Sequence, residues 1–507
     1  MTPELLHKEY LPSQVLLEYE GGEHLFVKIF SQLTWRDMAL ELQVHEDDEG
    51  HPSLKVFAMA EKSAIRAIRL VWRHDTSVNC RFAGDAWSTT QGECQWRGMD
   101  PQRIFPWYVL VRANEETVAL GVKTQGAAFA SWTLNPSQVT LTLDLRNGAC
   151  GVQLDGRVLE AATVFYCRYE RTPMAAARRF CGILSPDSIT SNLPVYGILS
   201  RQTGEMPFTL EDILQECDLL AFYCNNLTNR PFQILDCGWQ SEALADMAKL
   251  AGDILHRGVR PGLSLPLLRD NGTMPDECHL PSRPNILDPS LPQVLEAVQA
   301  KVRQVADWGF ELLRHTSSTQ DCLNGIYGNL RAPAEWSFAD RKRTNAEILV
   351  DFYRAIKSAK GDMLLYGEDV IGHLAAGLLH ICRVTSADTA DWLANRHNRI
   401  NALAFRICQN EKFFTLDTGA LDLATPRKWQ EVKPLAELLS QSGTAFFVSL
   451  DKANPLPAKA AKELSQDFLN ASLGDTTSLA PADWFNNTCP EQWTIGNNTK
   501  CYHWFEN

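Results

Sequence analysis

Two rhythms of hydrophobic and polar positions divide the chain. Over residues 14–170, short runs rich in β-branched and aromatic residues alternate with turn-forming clusters such as Glu-Gly-Gly and Arg-Asn-Gly. The runs are HLFVKIF, MALELQV, IRAIRLVW, WYVLVRA, TVALGVKT, VTLTLDL and ATVFYCRY. Many short strands at near-regular spacing predict an antiparallel β-sandwich. A stretch of helical period at residues 172–184 closes this region.

After Pro194, strand-like runs alternate with stretches of helical period, which is typical of a parallel sheet built from βα units. Between the third and fourth runs, Val294, Val298, Val302 and Val305 form one apolar helix face. Eight such repeats predict a (β/α)8 barrel. The runs lie at residues 195–200, 232–239, 260–268, 310–317, 362–369, 380–388, 401–407 and 444–450.

An open doubly wound sheet is the alternative to the barrel. It would normally carry a glycine-rich phosphate turn after its first strand, and GILSRQTGEMP does not match that pattern. The predicted organisation is therefore an N-terminal antiparallel β-sandwich over residues 1–185, a central (β/α)8 TIM barrel over 186–452 and a small C-terminal cap over 453–507.

Composition narrows the classes of partner. The 507 residues include 48 Lys plus Arg and 61 Asp plus Glu, a formal net charge of −13, and no cluster of basic residues, which argues against nucleic acid as a partner. No uncharged apolar stretch reaches the roughly 18 residues that span a bilayer, so no membrane contact is expected. The N-terminus does not resemble a signal peptide, which predicts a cytoplasmic protein.

The cysteines and short motifs suggest no cofactor. The 14 cysteines are scattered, so we interpret them as reduced thiols, with Cys489 and Cys501 the first pair to check for a disulfide. Neither CxxC nor HExxH occurs, so no metal site is predicted. A homo-oligomer is left open.

Charged side chains follow the predicted barrel strands. In a (β/α)8 barrel, reactive groups lie at the carboxyl ends of the strands. Aromatic faces stack on sugar rings while charged groups bind hydroxyls, so this rim predicts a carbohydrate ligand. The residues concerned are Asp236 and Trp239 after the second strand, Arg314 and Thr316 on the fourth, Glu368 and Asp369 on the fifth, Arg383 and Asp388 on the sixth, and Asp417 after the seventh.

These motifs occur in a familiar order. The series D-x-G-W-Q, LDPS, W-G-F-E-L-L-R-H, I-G-H-L-A-A-G and a late arginine followed by an acidic cluster resembles the α-galactosidase-like glycoside hydrolases of clan D, particularly family 36. The resemblance extends from WRGMDPQRIFPWY to the tail. It implies a β-sandwich, a catalytic barrel, a β-rich cap and hydrolysis of a glycoside.

The resemblance also implies roles for single residues. Asp236 matches the aspartate that holds sugar hydroxyls, and Trp239 follows it in the same motif. Arg383 matches an arginine that contacts hydroxyls beside the acid/base loop. Asp388, or alternatively Asp391, matches the acid/base itself.

Three positions depart from the family pattern. Arg314 replaces the lysine of the Lys-x-Asp motif, and Cys237 replaces the second aspartate of Asp-Asp-Gly-Trp. Thr316 stands where a retaining enzyme has its nucleophilic aspartate, and a threonine hydroxyl has no charge to stabilise an oxocarbenium-like transition state. Glu368 or Asp369 could supply the missing carboxylate. Adjacent strand residues point to opposite faces, so only one of the two can face the mouth.

Three functions fit these residues. The first is a glycoside hydrolase with Asp388 as general acid and Glu368, or a water, in the place of the nucleophile. A gap of about 5–5.5 Å between Glu368 and Asp388 would predict retention, and about 6.5–9.5 Å inversion. The second is a catalytically inactive carbohydrate-binding pseudoenzyme, and the third a structural partner of an active paralogue. His315 should point away from the barrel axis, and His373 and His380 should be packing residues.

Overall fold

The described residues form two large antiparallel sheets, one parallel barrel, a two-stranded hairpin and a small terminal sheet. The computed structural model describes residues 10–47, 49–73, 79–87, 94–200, 209–225, 227–236, 246–281, 283–323, 336–386, 389, 391–423, 429–450, 455–474 and 479–504.

The N-terminal region forms the predicted β-sandwich. A six-stranded sheet has the order β2-β1-β6-β12-β11-β8, and a seven-stranded sheet the order β3-β4-β5-β13-β10-β9-β7, with antiparallel pairing in both. Alternate side chains such as Met38, Leu40 and Leu42 are buried between the sheets. The strands are β1 (Gln14–Tyr19), β2 (Gly22–Phe26), β3 (Gln32–Trp35), β4 (Met38–Glu46), β5 (Pro52–Ala60), β6 (Ile65–Arg73), β7 (Arg81–Gly84), β8 (Phe105–Pro106), β9 (Tyr108–Ala113), β10 (Glu116–Val122), β11 (Phe129–Asn135), β12 (Gln138–Asp144) and β13 (Leu159–Tyr169).

The central region contains a parallel sheet that closes on itself. Its order is β22-β21-β20-β19-β16-β15-β14-β24-β23. Both ends of that order come from residues 415–422, and a parallel bridge joins Asp417 to Ala445, so this one segment borders both neighbours. The strands are β14 (Tyr196–Ser200), β15 (Phe232–Leu235), β16 (Arg260–Leu265), β19 (Leu312–His315), β20 (Leu364–Gly367), β21 (Ile381–Arg383), β22 (Thr415–Asp417), β23 (Leu421–Asp422) and β24 (Phe446–Ser449). An antiparallel hairpin, β17 (His279–Leu280) and β18 (Arg283–Leu287), follows the third barrel strand.

Helices alternate with the barrel strands. The predicted valine stripe is confirmed, because Val294, Val298, Val302 and Val305 are all buried on one helix. The helices are α1 (Pro173–Leu184), α2 (Leu210–Tyr223), α3 (Met247–His256), α4 (Pro292–Asp307), α5 (Ser318–Leu323), α6 (Asn345–Ala359), α7 (Gly372–Ala375), α8 (Trp392–Arg406), α9 (Trp429–Ser440) and α10 (Ala458–Leu473).

Local signals explain two helix boundaries. The helix α6 begins after Thr344, whose hydroxyl accepts a hydrogen bond from the Glu347 N–H while the Glu347 carboxylate accepts one from the Thr344 N–H. The helix α10 ends at Gly474, which takes a left-handed φ of 59°.

One predicted barrel strand is wrong. Residues 401–407 lie in α8 and the 3-10 turn Ile407–Gln409, and the seventh strand is the shorter β22. Every residue from Ile400 to Gln409 is buried, and a short continuous apolar run does not distinguish a buried helix from a buried strand. The count of eight repeats still holds, because Thr415–Asp417 supplies the strand.

The C-terminal residues continue the barrel before forming a separate sheet. The helix α10 packs against α9, α2 and β14. A three-stranded antiparallel sheet follows, made of β25 (Ala480–Pro481), β26 (Gln492–Ile495) and β27 (Asn498–Cys501). The predicted boundaries at 185/186 and 452/453 stay predictions.

Buried contacts join the sandwich to the barrel. The His373 ring stacks on Trp107 at 4.8 Å between ring centroids, and its Nε2 lies 2.8 Å from the Val122 carbonyl oxygen. Arg406 and Asp85 form a fully buried ion pair of 2.8 Å across the same boundary. His373 is therefore a packing residue, as predicted.

Two further expectations concern cysteines and membranes. Every cysteine that the structure describes is a free thiol, Cys489 and Cys501 included. Within the described ranges, no helix is both long and apolar enough to cross a membrane.

Candidate functional site

Four charged side chains meet at the carboxyl end of the barrel. Asp236 follows β15, Arg314 lies on β19, Glu368 follows β20 and Arg383 ends β21. The register pairs Arg314 with Ser264 of β16 on one side and Tyr366 of β20 on the other. Parallel neighbours end at the same edge of the sheet, so sequence-distant residues converge. The structure thus brings together four of the predicted site residues.

These side chains form a continuous chain of ion pairs. The Nη1 of Arg314 donates to Asp236 Oδ1 at 2.8 Å and to Ser264 Oγ at 2.9 Å. The other terminal nitrogen of Arg314, Nη2, donates to one oxygen of Glu368. Arg383 Nη1 donates to the second Glu368 oxygen at 2.6 Å. Glu368 therefore bridges two guanidinium groups, and each of its oxygens holds one of them.

Burial differs between the two signs of charge. The Arg314 and Arg383 side chains are 2% and 4% exposed, whereas those of Asp236 and Glu368 are 27% and 21% exposed. Burial alone would lower the pKa of Arg314, but the Glu368 and Asp236 carboxylates raise it above its ordinary value. Burial likewise acts to lower the pKa of Arg383, but the Glu368 carboxylate raises it above its ordinary value. The acidic groups are the ones that a ligand in the mouth can reach.

A buried tyrosine and aspartate form the floor below the arginines. The Arg314 guanidinium lies 5.5 Å from the centroid of the Tyr366 ring. The Tyr366 hydroxyl donates to Asp417 Oδ2, which also accepts the Gly419 N–H at 3.0 Å. Burial raises the pKa of Asp417 and that of Tyr366. The floor therefore links the fifth strand to the end of the seventh.

A glycine turn supports Arg383 from the other side. Gly419 has a φ of 88°, and a Cβ there would lie 2.9 Å from Arg383 Nη2. The same Nη2 donates to the Ser386 carbonyl at 2.9 Å, and Arg399 donates to the carbonyls of Thr418 and Ala420 at 3.0 and 2.8 Å. These bonds hold the turn against the Arg383 guanidinium.

Asp369 and Thr316 both make hydrogen bonds with backbone groups. Asp369 has a φ of 57°, and its Oδ2 accepts the Gln320 N–H of α5 at 2.9 Å. Burial raises the pKa of Asp369 to about 7. Thr316 is 5% exposed, and its N–H donates to the Leu265 carbonyl at 3.3 Å. Of the predicted carboxylate pair, Glu368 is the one bonded to the arginines.

Several predicted residues fall outside the part of the chain that the structure describes. These are Cys237, Trp239 and Asp388, so the gap between Glu368 and Asp388 stays a prediction. Asp391, the alternative acid/base, caps α8 by accepting the N–H groups of Leu393 at 2.9 Å and Ala394 at 3.3 Å.

His315 points away from the barrel axis, which confirms the prediction. Its ring lies near those of Phe352 and Tyr353 on α6, at 6.2 and 6.1 Å between centroids. Its Nδ1 is 3.1 Å from the Ser318 hydroxyl, and burial lowers the pKa of the imidazole to about 3. His315 is therefore neutral at physiological pH and belongs to the barrel wall.

Two floor residues were missed in the sequence. The sequence places Asp417 at a strand end without indicating a role for it, and Tyr366 matches no motif. A usable signal existed for Tyr366, because it lies two residues before Glu368 and so on the same face of its strand. For the described residues, no group of three His, Cys, Asp or Glu side chains is arranged to hold a metal ion.

Comparison with known proteins identifies the fold. The chain aligns with the α-galactosidase of Thermus thermophilus, solved with p-nitrophenyl α-D-galactopyranoside, at 15% identity over 93% of this chain and 98% of that one, with a TM-score of 0.60. It also aligns with a family 31 dextranase of Flavobacterium johnsoniae, solved with isomaltotriose, at 10% identity over 92% and 66% of the two chains, with a TM-score of 0.53.

A third structure shares the fold. An uncharacterised protein of Listeria monocytogenes, solved with α- and β-D-glucose, aligns at 9% identity over 98% of this chain and 61% of that one, with a TM-score of 0.56. No protein-family model and no curated protein matches the sequence. At these identities the likeness shows the fold alone, an N-terminal β-sandwich followed by a TIM barrel.

Proposed function

We propose that the protein is a glycoside hydrolase that binds its substrate at the carboxyl end of the barrel. One observation carries the proposal: Asp236, Arg314, Glu368 and Arg383, from four strands, converge there in one chain of ion pairs. The fold shared with an α-galactosidase and a dextranase supports a glycoside as the substrate class. An α-linked hexose is the substrate that we favour.

The partly exposed carboxylates suit sugar hydroxyls. Asp236 and Glu368 accept hydrogen bonds from Arg314 and Arg383, and these bonds fix the orientation of both carboxylates. A hydroxyl that bonds to such a carboxylate makes a charge-assisted hydrogen bond, which is stronger than a neutral one. Asp236, Glu368 and the arginine edges would then fix the sugar ring, with Trp239 and Asp369 as further predicted contacts.

The catalytic pair that we assign is Asp388 and Glu368. Asp388 protonates the leaving oxygen. Glu368, from the neighbouring strand, takes the role of the nucleophilic aspartate that the family pattern has at the position of Thr316. Both Glu368 oxygens already hold a guanidinium, so direct attack on carbon would require one arginine to release it. We therefore favour a water activated beside Glu368, which corresponds to inversion.

Binding without hydrolysis is the second candidate. The same double ion pair favours it, because each Glu368 oxygen already accepts a hydrogen bond from a guanidinium and would have to share that position with an attacking water. Thr316 adds no charge that could replace it. In that case the mouth of the barrel binds a sugar, but no carboxylate acts as the nucleophile or base that hydrolysis needs.

One experiment separates the two candidates. Aryl α- and β-glycosides would be tested for release of the aryl group, and binding of D-galactose and D-glucose would be followed by saturation-transfer NMR. The variants are Asp236→Asn, Glu368→Gln and Asp388→Asn. The matched control is Glu311→Gln, because Glu311 pairs with Arg260 at 2.5 Å at the opposite end of the barrel.

The outcomes are distinct. Release that is lost in Glu368→Gln and Asp388→Asn but kept in Glu311→Gln supports the hydrolase. Saturable sugar binding with no release, lost in Asp236→Asn, supports the binding protein. Neither release nor binding with any tested sugar rejects both.

A further inference from the structure

A second concave site lies inside the N-terminal sandwich, away from the barrel mouth. It is a cavity of about 620 Å³ between the two sheets. Its volume falls within the roughly 300–1,000 Å³ that is usual for small-molecule pockets. The six-stranded sheet contributes Trp72, Trp132 and Leu134 to the wall, and the seven-stranded sheet contributes Val118, Leu120 and Tyr166.

The indole N–H groups of the two tryptophans are already hydrogen-bonded to backbone carbonyls. The Trp72 indole N–H donates to the Tyr10 carbonyl at 3.0 Å, and the Trp132 N–H donates to the Trp107 carbonyl at 3.1 Å. Their rings stack with centroids 6.2 Å apart and an interplanar angle of 28°. A ligand between the sheets would therefore meet aromatic and aliphatic surface rather than unpaired donors.

Among the residues that the structure describes, part of the apolar wall is only half-covered. Val118 and Leu120 lie on the face of β10 that looks toward the other sheet, yet both are only half-buried. Thr117 and Ala119, on the opposite face of the same strand, are fully buried. The described strands of the two sheets thus leave apolar surface open at this end of the sandwich, and exposing such surface costs roughly 25 cal/mol for each Å².

Charged side chains border the cavity, and those that the structure describes have a positive balance. Arg73, Arg168 and Glu116 border it. The Arg168 guanidinium lies 5.4 Å from the centre of the Tyr166 ring and 3.9 Å from Glu116 Oε1. These two cations and one anion, the charges that the described part of the rim contributes, favour a ligand with an anionic end.

We propose that this cavity binds a small amphiphile with an apolar body and one terminal carboxylate. A medium-chain fatty acid is the simplest member of that class. Its chain would lie between the Trp72 and Leu120 walls, and its carboxylate would face Arg73 and Arg168. The site is independent of the function proposed for the barrel mouth.

The test compares three probes of equal chain length on the full-length protein by isothermal titration calorimetry. Decanoate should bind with a stoichiometry of one and at least about tenfold more tightly than decanol or decyltrimethylammonium, because only its head group pairs with arginine. The double change Arg73→Gln with Arg168→Gln should remove that preference while decanol binding is unchanged.

Filling variants locate the site. Val118→Trp should abolish binding of decanoate and of decanol, and Ala113→Leu, a smaller change on the same wall, should weaken both. Circular dichroism would check that each variant is folded. Absence of decanoate binding, binding that both filling variants leave intact, or equal affinity for all three probes would overturn the proposal.

Discussion

The Arg383 guanidinium lies so close to Gly419 that a single added methyl group would collide with it. The nearest approach is 2.9 Å, from a Cβ on Gly419 to Nη2 of Arg383. Gly419 also has a φ of 88°, a left-handed conformation that glycine adopts without strain. The turn after the seventh strand therefore determines where an arginine of the sixth strand can lie.

Gly419→Ala should displace Arg383 and weaken its bond to Glu368. We expect sugar binding at the mouth to weaken by about tenfold or more, and the free energy of unfolding to fall by about 1–3 kcal/mol from backbone strain and overpacking. NMR titration and urea denaturation would measure the two effects. Gly252→Ala is the control, because a Cβ there meets no atom within 4 Å and it lies inside α3. Equal effects of both changes would contradict the positional argument.

Glu368→Gln should destabilise the protein as well as the site. It removes the carboxylate shared by Arg314 and Arg383 and leaves two buried guanidinium groups facing a neutral amide. Breaking a buried ion pair at one partner costs about 3–5 kcal/mol, and partial exposure of Glu368 places the expected loss near the lower end. Glu311→Gln, at a more exposed pair, should cost less than about 1 kcal/mol. A loss for Glu368→Gln as small as the control would show that the bridge contributes little.

Tyr366→Phe tests the floor of the site. The change removes the hydroxyl that donates to Asp417 and leaves a buried carboxyl with one donor fewer, which should cost about 1–3 kcal/mol. Sugar affinity should fall too, because the lost hydroxyl no longer fixes the Asp417 carboxyl, which interacts with Arg383. Tyr196→Phe is the matched control, since the Tyr196 hydroxyl donates to the Asn229 carbonyl beside the first strand. That control should alter stability without altering sugar affinity; a loss of affinity in both would contradict a specific role for Tyr366.

The sequence predicts the strand ends of this fold better than it predicts contacts across the barrel. Arg314, Glu368 and Arg383 could be placed at one rim because each follows an apolar run and parallel strands end at one edge. The bond between Tyr366 and Asp417 could not, since it joins strands separated in the sheet by β21. Likewise, the bridging role of Glu368 depends on side-chain directions that strand periodicity alone does not specify.

Asp369 should make stability depend on pH. Burial raises its pKa from an ordinary 3.8 to about 7, so between pH 4 and 7 the folded state binds a proton that the unfolded state has lost. The free energy of unfolding should therefore fall as pH rises through this window, by up to about 1.4 kcal/mol per pH unit from this group. Asp369→Asn should remove that part of the slope in urea denaturation at several pH values.

Asp467 provides the matched control for Asp369. Burial raises its pKa to about 7 as well, but it bonds to Ser440 between α9 and α10. Asp467→Asn should flatten the stability profile to a similar degree, whereas only Asp369→Asn should change how sugar affinity varies near pH 7. An unchanged stability slope in Asp369→Asn would mean that this carboxyl ionises normally in the folded protein. An unchanged affinity profile would remove Asp369 from the proposed sugar contacts.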